Sequence, residues 1–247
     1  MITLTTDFGY SDHYAGVMKG AILKINPTAN IVDITHGVKR HSIRHASYIL
    51  MSILDYFPEN SIHVFVIDPG VGTDRKGIVA KMDRGYYVGP DNGILTLVKS
   101  RVQEVYEIKD RVNTSTFDGR DVFAPVAAEL DMGIFTSLVK TDSFITYPLQ
   151  NPVCSEEKLI GEVIHIDHFG NVITNIPKKC VKEGKVLHVE GFTMNVKHAY
   201  ANAQKGELLA LINSEDLLEF AVNQGSASEL MKMDVGDKIE IKISETS

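Results

Sequence analysis

The spacing of hydrophobic positions changes along this chain, and the changes divide it. Ile2-Thr3-Leu4-Thr5-Thr6 is short and β-branched, which predicts a strand. A polar loop, 7–12, follows. Tyr14, Val17, Met18, Ala21, Ile22 and Ile25 then recur at helical spacing until Pro27. Ile31 to Ile34 reads as a second strand. Ile43, Ala46, Ile49, Leu50, Ile53 and Leu54 form a second helical stripe, ended before Pro58. Ile62 to Ile67 is almost continuously apolar, as expected of a strand covered on both faces. This β-α-β-α-β order predicts an α/β domain with a mainly parallel sheet and helices on its faces. A further helix is expected from about Val122 to Leu130, with Pro125 in its first turn and Asp121 as a candidate N-cap.

The pattern shifts after Gln150-Asn151-Pro152. Short β-rich runs follow, among them 163–166, 172–174, 186–189, 208–212 and 239–243, with no convincing amphipathic helix between them. They predict a smaller all-β, barrel-like domain of roughly 90 residues. The expected division is 1–150 and 155–247.

Composition narrows the partners. With 25 Lys and Arg against 32 Asp and Glu, the net charge of −7 argues against nucleic acid and against an anionic membrane surface. No apolar stretch approaches the ~20 residues that span a bilayer. Met1 leads directly into a strand-like run rather than a signal-peptide pattern, so a cytoplasmic address is expected. Cys154 and Cys180 are the only cysteines; they make neither a disulfide framework nor a CxxC metal site, and they read as buried or indifferent thiols.

In an open α/β sheet, ligands bind beyond the carboxyl ends of the strands. Three polar segments fall there: Asp7 to Asp12, His36 to His41, and Asp68 to Arg75. A fourth, Thr116 to Asp121, precedes the expected third helix. Each also has a plain structural reading. Asp68-Pro69-Gly70 is a good turn, and Gly70 and Gly72 can simply supply positive φ. His41 and His45 are four apart and could share a helix face, but no HExxH accompanies them. Arg120 and Asp121 read as a structural ion pair. Neither a P-loop nor a GxGxxG is present.

Taken together, seven ordered segments resemble one family, the S-adenosylmethionine hydroxide adenosyltransferases, relatives of the fluorinase and chlorinase. The segments are TTDFGYSD (5–12), VDITHGV (32–38), VIDPGVGTDR (66–75), YVGPDNGILT (87–96), TFDGRDVFAPVAA (116–128), IDHFGNVITNI (166–176) and INSEDLLEFAVNQGSA (212–227). The resemblance implies hydrolysis of S-adenosyl-L-methionine to adenosine and L-methionine without a cofactor or metal. It also implies a homotrimer, with substrate between one subunit's N-terminal domain and its neighbour's C-terminal domain.

The same resemblance implies roles residue by residue. Asp7 binds the ribose hydroxyls, while Asp12, Asp167 and Ser214 hold the methionine portion. Asn171 meets the adenine, with Phe169 and Tyr200 as aromatic walls. Thr116 and Phe117 line the reacting centre, His41 stands where an aromatic ring is common, and Asn92 and Glu215 complete the binding set. Asp68 and Arg75 match two members of a water-handling trio. The hydrolases usually read Phe-His-Gly-Arg-Asp where this chain reads Phe-Asp-Gly-Arg-Asp, so the third member is Asp118. Glu215 stands where the halogenases have an arginine. Three other readings stay open at this point: a protein that binds the substrate without turning it over, a halogenase-like adenosyltransferase, and a metal-dependent hydrolase using Asp7, Asp12, His36 and His41.

Overall fold

The computed structural model describes residues 1–109 and 116–244. The chain forms two compact units, Met1–Tyr147 and Pro148–Ser247. In the first, strands β1 (Ile2–Thr6), β2 (Ile31–Thr35), β3 (Ser61–Val66), β4 (Gly77–Met82), β5 (Gly85–Pro90), β6 (Val102–Ile108) and β7 (Leu138–Thr141) make one sheet in the order β2-β1-β3-β5-β4-β6-β7. The pairings β1–β2, β1–β3 and β3–β5 are parallel, and the remaining three are antiparallel. A helix separates β1 from β2 and β2 from β3, whereas β5 lies parallel to β3 because the antiparallel β4 comes between them in sequence. The β4–β5 connection is only two residues long, which closes a hairpin but cannot make a crossover.

The central strand shows how the sequence pattern becomes a two-sided core. On β3, Ile62, Val64 and Val66 pack with Met18 and Ile22 of helix α1 (Tyr14–Ile25) and with α3 (Ala124–Asp131). Phe65 and the following Ile67 point the other way, to Ala46 and Leu50 of α2 (Ile43–Ile53). Side chains alternate across a strand, so a run apolar at every position must be covered twice. Ser42 caps α2 by accepting from the His45 amide at 3.3 Å. Before α3 the chain makes one π-type turn, Gly119–Phe123. Asp121 lies inside that turn and is not the N-cap of α3; Pro125 does occupy the first turn. The ion pair of Arg120 with Asp121 is present, with Nε 2.5 Å from Oδ1.

The second unit contains β8 (Val153–Cys154), β9 (Lys158–Ile166), β10 (Val172–Pro177), β11 (Val186–Val189), β12 (Phe192–Asn195), β13 (Leu208–Ile212), β14 (Leu217–Val222), a five-residue helix α4 (Ala227–Met231) and β15 (Lys238–Ser244). Its sheet runs β12-β11-β15-β9-β10-β14-β13 with every strand pair antiparallel, and β8 pairs with β9. A bridge between Val196 and Ala210 joins its two ends, so the sheet nearly closes on itself. On β15, Ile239 and Ile241 enter the core while Lys238, Glu240 and Lys242 face out.

The cysteines are not free thiols: Cys154 and Cys180 form a disulfide, with Cα atoms 5.5 Å apart. Their separation of 26 residues hid the pairing. β8 pairs along the edge of β9 opposite β15, the same edge that β10 uses, and this brings Cys154 beside the turn that follows Pro177. Among the described residues, no helix is long and apolar enough to cross a membrane.

Candidate active site

β2, β1 and β3 are neighbours, so their carboxyl ends deliver the three polar loops to one edge of the sheet. Backbone bonds lock the first two loops together: the Gly9 amide donates to the His36 carbonyl at 2.7 Å, and the Val38 amide to the Thr6 carbonyl at 3.2 Å. His36 is buried, with Nδ1 2.9 Å from Thr6 Oγ1 and Nε2 3.2 Å from Asp33. It therefore ties loops together rather than facing a ligand. Asp7 Oδ2 accepts from the His41 amide at 2.8 Å. His41 has φ of 61° and lies before α2, so it does not share a helix face with His45. Burial, and then Lys39, hold the His45 pKa below the usual imidazole value, and its Nδ1 accepts from the Lys39 amide.

The third loop turns back on itself. Thr73 Oγ1 donates to the Gly70 carbonyl at 2.6 Å, and the Arg75 amide donates to Thr73 Oγ1 at 3.3 Å. This return carries Arg75 onto Asp68. Arg75 Nε and Nη2 donate to the two Asp68 oxygens at 3.1 and 2.5 Å, and the same Nη2 donates to Asp118 Oδ2 at 2.5 Å. The three side chains are almost fully enclosed. The Arg75 guanidinium also lies 5.4 Å from the centre of the Phe123 ring. Two carboxylates thus share one guanidinium in a site of low polarity. Burial raises the Asp68 pKa, and the charge of Asp118 adds to the rise against the pull of Arg75. Asp118 Oδ1 is buried and has no hydrogen-bond partner among the described residues, which leaves an acceptor unused.

Phe8, Tyr14 and Phe117 form a ring cluster beside this trio, with centroids 5.4–5.5 Å apart. Gly119 allows Phe117 to sit there: a Cβ at this position would come within 3.0 Å of the Phe117 ring and 3.2 Å of Val66. Together these groups enclose a cleft of about 350 Å³ lined by Asp7, Asp12, His41, Asp68, Thr116, Phe117 and Asp118, with Phe8 and Tyr14. Asn92 does not line it. Its Nδ2 donates to the Ile67 carbonyl at 2.9 Å, which steadies the backbone just before Asp68.

In the second unit, Asp167, Phe169 and Asn171 share the turn between β9 and β10. Asp167 Oδ1 accepts from the Phe169 and Asn171 amides, and Oδ2 from the Asn171 side chain, all at 2.9 Å. Gly170 permits the turn, with φ of 82° and no room for a Cβ beside Ser226. Phe169 is left 74% exposed. Tyr200 opens a short 3-10 turn, Tyr200–Asn202, and Ser214 Oγ donates to Glu215 at 3.1 Å. Two buried glutamates, Glu162 and Glu219, escaped the sequence reading, and the second lies beside Tyr200. Glu219 on β14 is 3% exposed and accepts from the Tyr200 hydroxyl at 2.6 Å. Its signal was a carboxylate interrupting the apolar run Leu217–Val222. Among the described residues, no group of three or more His, Cys, Asp or Glu side chains is arranged to hold a metal.

Known proteins resemble this chain along nearly its whole length. Residues 2–139 match the SAM hydroxide adenosyltransferase N-terminal domain, and residues 161–240 match the corresponding C-terminal domain. A relative in Methanocaldococcus jannaschii, an (R)-S-adenosyl-L-methionine hydrolase, is 39% identical, covering 98% of this chain and 95% of its own. One in Thermus thermophilus bearing the same activity is 33% identical over 96% and 97%. The crystal structure of an uncharacterized conserved protein from Thermotoga maritima superimposes with a TM-score of 0.90 at 42% identity, covering 98% of this chain and 99% of that one. The chain belongs to the SAM hydroxide adenosyltransferase family.

Proposed function

We propose that this enzyme hydrolyses S-adenosyl-L-methionine to adenosine and L-methionine by in-line attack of water at C5′. The observation that carries the mechanism is the enclosed Asp68–Arg75–Asp118 trio at an aromatic cleft. The sulfonium leaves as a neutral thioether, so nothing has to protonate it and no metal or other cofactor is needed. The site must hold a water and accept one proton. Asp118 Oδ1 is an unused acceptor for that water. Arg75 stabilises the developing hydroxide, and Asp68, its pKa raised by burial, takes the proton. The C5′–O bond forms as the C5′–S bond breaks. Two carboxylates against one guanidinium leave a net negative charge, which favours the sulfonium cation and disfavours a halide nucleophile.

The remaining roles follow the chemistry of the groups. Asp7 accepts from the ribose diol, and Asp12, Asp167 and Ser214 meet the methionine portion, with Glu215 nearby. Thr116, Phe117 and His41 border the reacting centre. Asn171 reads the adenine edge between Phe169 and Tyr200. Asn92 acts through the Ile67 carbonyl, next to Asp68. We further propose a homotrimer in which neighbouring chains complete each site. The relatives are named for the R configuration of the substrate, so both sulfonium epimers belong in the assay.

The test is incubation with S-adenosylmethionine in ¹⁸O-labelled water, with chelator, with and without chloride, and mass spectrometry of the products. Labelled adenosine with methionine is expected. Bound substrate without turnover would leave a binding protein, and chloroadenosine as the main product would make it a halogenase.

A further inference from the structure

Glu219 is an unusual residue for its position. β14 lies between β10 and β13, and Glu219 is in register with Ile173 on one side and Leu211 on the other. The groups that bear on its carboxylate are the Tyr200 hydroxyl from the 3-10 turn, Asp167 from the β9–β10 turn, and Asn213 and Glu215 from the β13–β14 turn. Two of these are acids, so the charge is not there to pair with them. A buried carboxylate in such company lowers stability, and some other benefit has to account for it.

We infer that Glu219 is a positioning residue: it fixes the Tyr200 ring, and with it the aromatic wall offered to the adenine. This rests on the reading of Tyr200 as that wall. Tyr200 is 44% exposed, so packing alone does not set its ring. Its backbone is held by the turn, where Asn202 Oδ1 accepts from the Ala199 amide at 3.0 Å and Lys197 donates to the Asn202 carbonyl at 3.0 Å. The bond from its hydroxyl to Glu219, at 2.6 Å, fixes the far end of the side chain. Two anchors leave the ring little rotational freedom to lose when a flat ligand stacks on it. The anchor is charge-assisted while Glu219 is ionised. Burial, with Asp167 and Glu215, pushes the Glu219 pKa up to about 6. Acidification through that range weakens the anchor before ordinary carboxylates titrate.

The experiment compares Tyr200→Ala, Tyr200→Phe, Glu219→Gln and the Tyr200→Phe/Glu219→Gln pair. Adenosine binding is measured by calorimetry, and kcat and KM for S-adenosylmethionine are measured from pH 5 to 8. Melting temperatures identify any variant that fails to fold, and Tyr200→Phe keeps the test open if Glu219→Gln does. Tyr200→Ala should weaken adenosine binding by more than about tenfold, as loss of a stacking surface predicts. Tyr200→Phe and Glu219→Gln should each raise Kd and KM about 3- to 10-fold with kcat nearly unchanged, the scale of ordering one side chain on binding. The pair should be no worse than the worse single variant. KM of the wild type should rise below pH 6, and this rise should be absent in both single variants. Full binding in Tyr200→Ala would overturn the wall and the inference with it. Weak binding in Tyr200→Ala beside wild-type KM with the wild-type pH dependence in the other two would overturn the inference alone. A lowered melting temperature without the KM changes would make Glu219 merely structural and overturn it as well.

Discussion

The residues of the trio differ in what their loss does. Arg75 holds two enclosed carboxylates, so Arg75→Ala removes a charge from a buried network and leaves two acids uncompensated. Breaking such a network costs about 3–5 kcal/mol, so that variant tests folding as much as chemistry. Asp68→Asn and Asp118→Asn keep shape and volume and are better probes. Each should lower kcat about 10²- to 10³-fold with KM within a few-fold, in steady-state assays. A wild-type rate in Asp118→Asn would remove it from the mechanism. Asp68 must be ionised to take a proton, and its pKa is raised. Activity should therefore fall as the pH drops through that raised value, and the acid limb of a kcat profile should sit above the usual Asp range.

At the scale of elements, the same parallel strands that deliver the loops carry an acid-sensitive joint. His63 on β3 is buried, with Nδ1 2.9 Å from Thr3 Oγ1 on β1 and its ring 5.8 Å from Phe57. Burial lowers its pKa to about 4. A depressed histidine is neutral in the folded state but protonates readily once unfolded. Its contribution is complete above pH 6.5 and is lost as the pH falls toward 4. By linkage it should cost about 2 kcal/mol at pH 5 relative to neutral pH. Denaturant titrations of the wild type and His63→Gln at pH 7 and 5 would measure this. The variant is expected to lose that part of the pH dependence, and an identical pH response in both proteins would refute the assignment. Glu219 acts with the opposite sign: its raised pKa makes its penalty fade as the pH falls through 6.

The whole molecule combines two independently cored units, and its predictions concern linkage and assembly. The disulfide closes a loop of 26 residues within the second unit, beside the start of β9. Constraining an unfolded loop of that length contributes about 3.5 kcal/mol in the chain-entropy account. Reducing agent, or Cys154→Ser with Cys180→Ser, should lower the melting temperature by several degrees; an unchanged value would mean that the pair contributes nothing in solution. The proposed trimer has a direct measure as well. Sedimentation velocity at assay concentrations should show a single trimeric species, and a monomer active at the same concentration would dismiss shared sites.

Much of this was legible in the sequence. The helices at Tyr14 and Ile43 and the strands at Ile2, Ile31 and Ile62 follow from periodicity, because each spacing reports which side of a local element meets the core. The ordered segments from Asp7 to Glu215 carried the family, because their residue types and order persist whatever the packing. Other features belong to the tertiary structure alone. Arg75 bridging two acids, Asn92 holding a backbone carbonyl, the Cys154–Cys180 bond and the Glu219 anchor all depend on which strands become neighbours and in what register. His41 stands off the helix because one residue with positive φ turns the chain before Ser42 caps it. Hydrophobic spacing records burial one element at a time. The partner of a polar side chain is chosen across elements distant in sequence, and only the folded chain sets that distance.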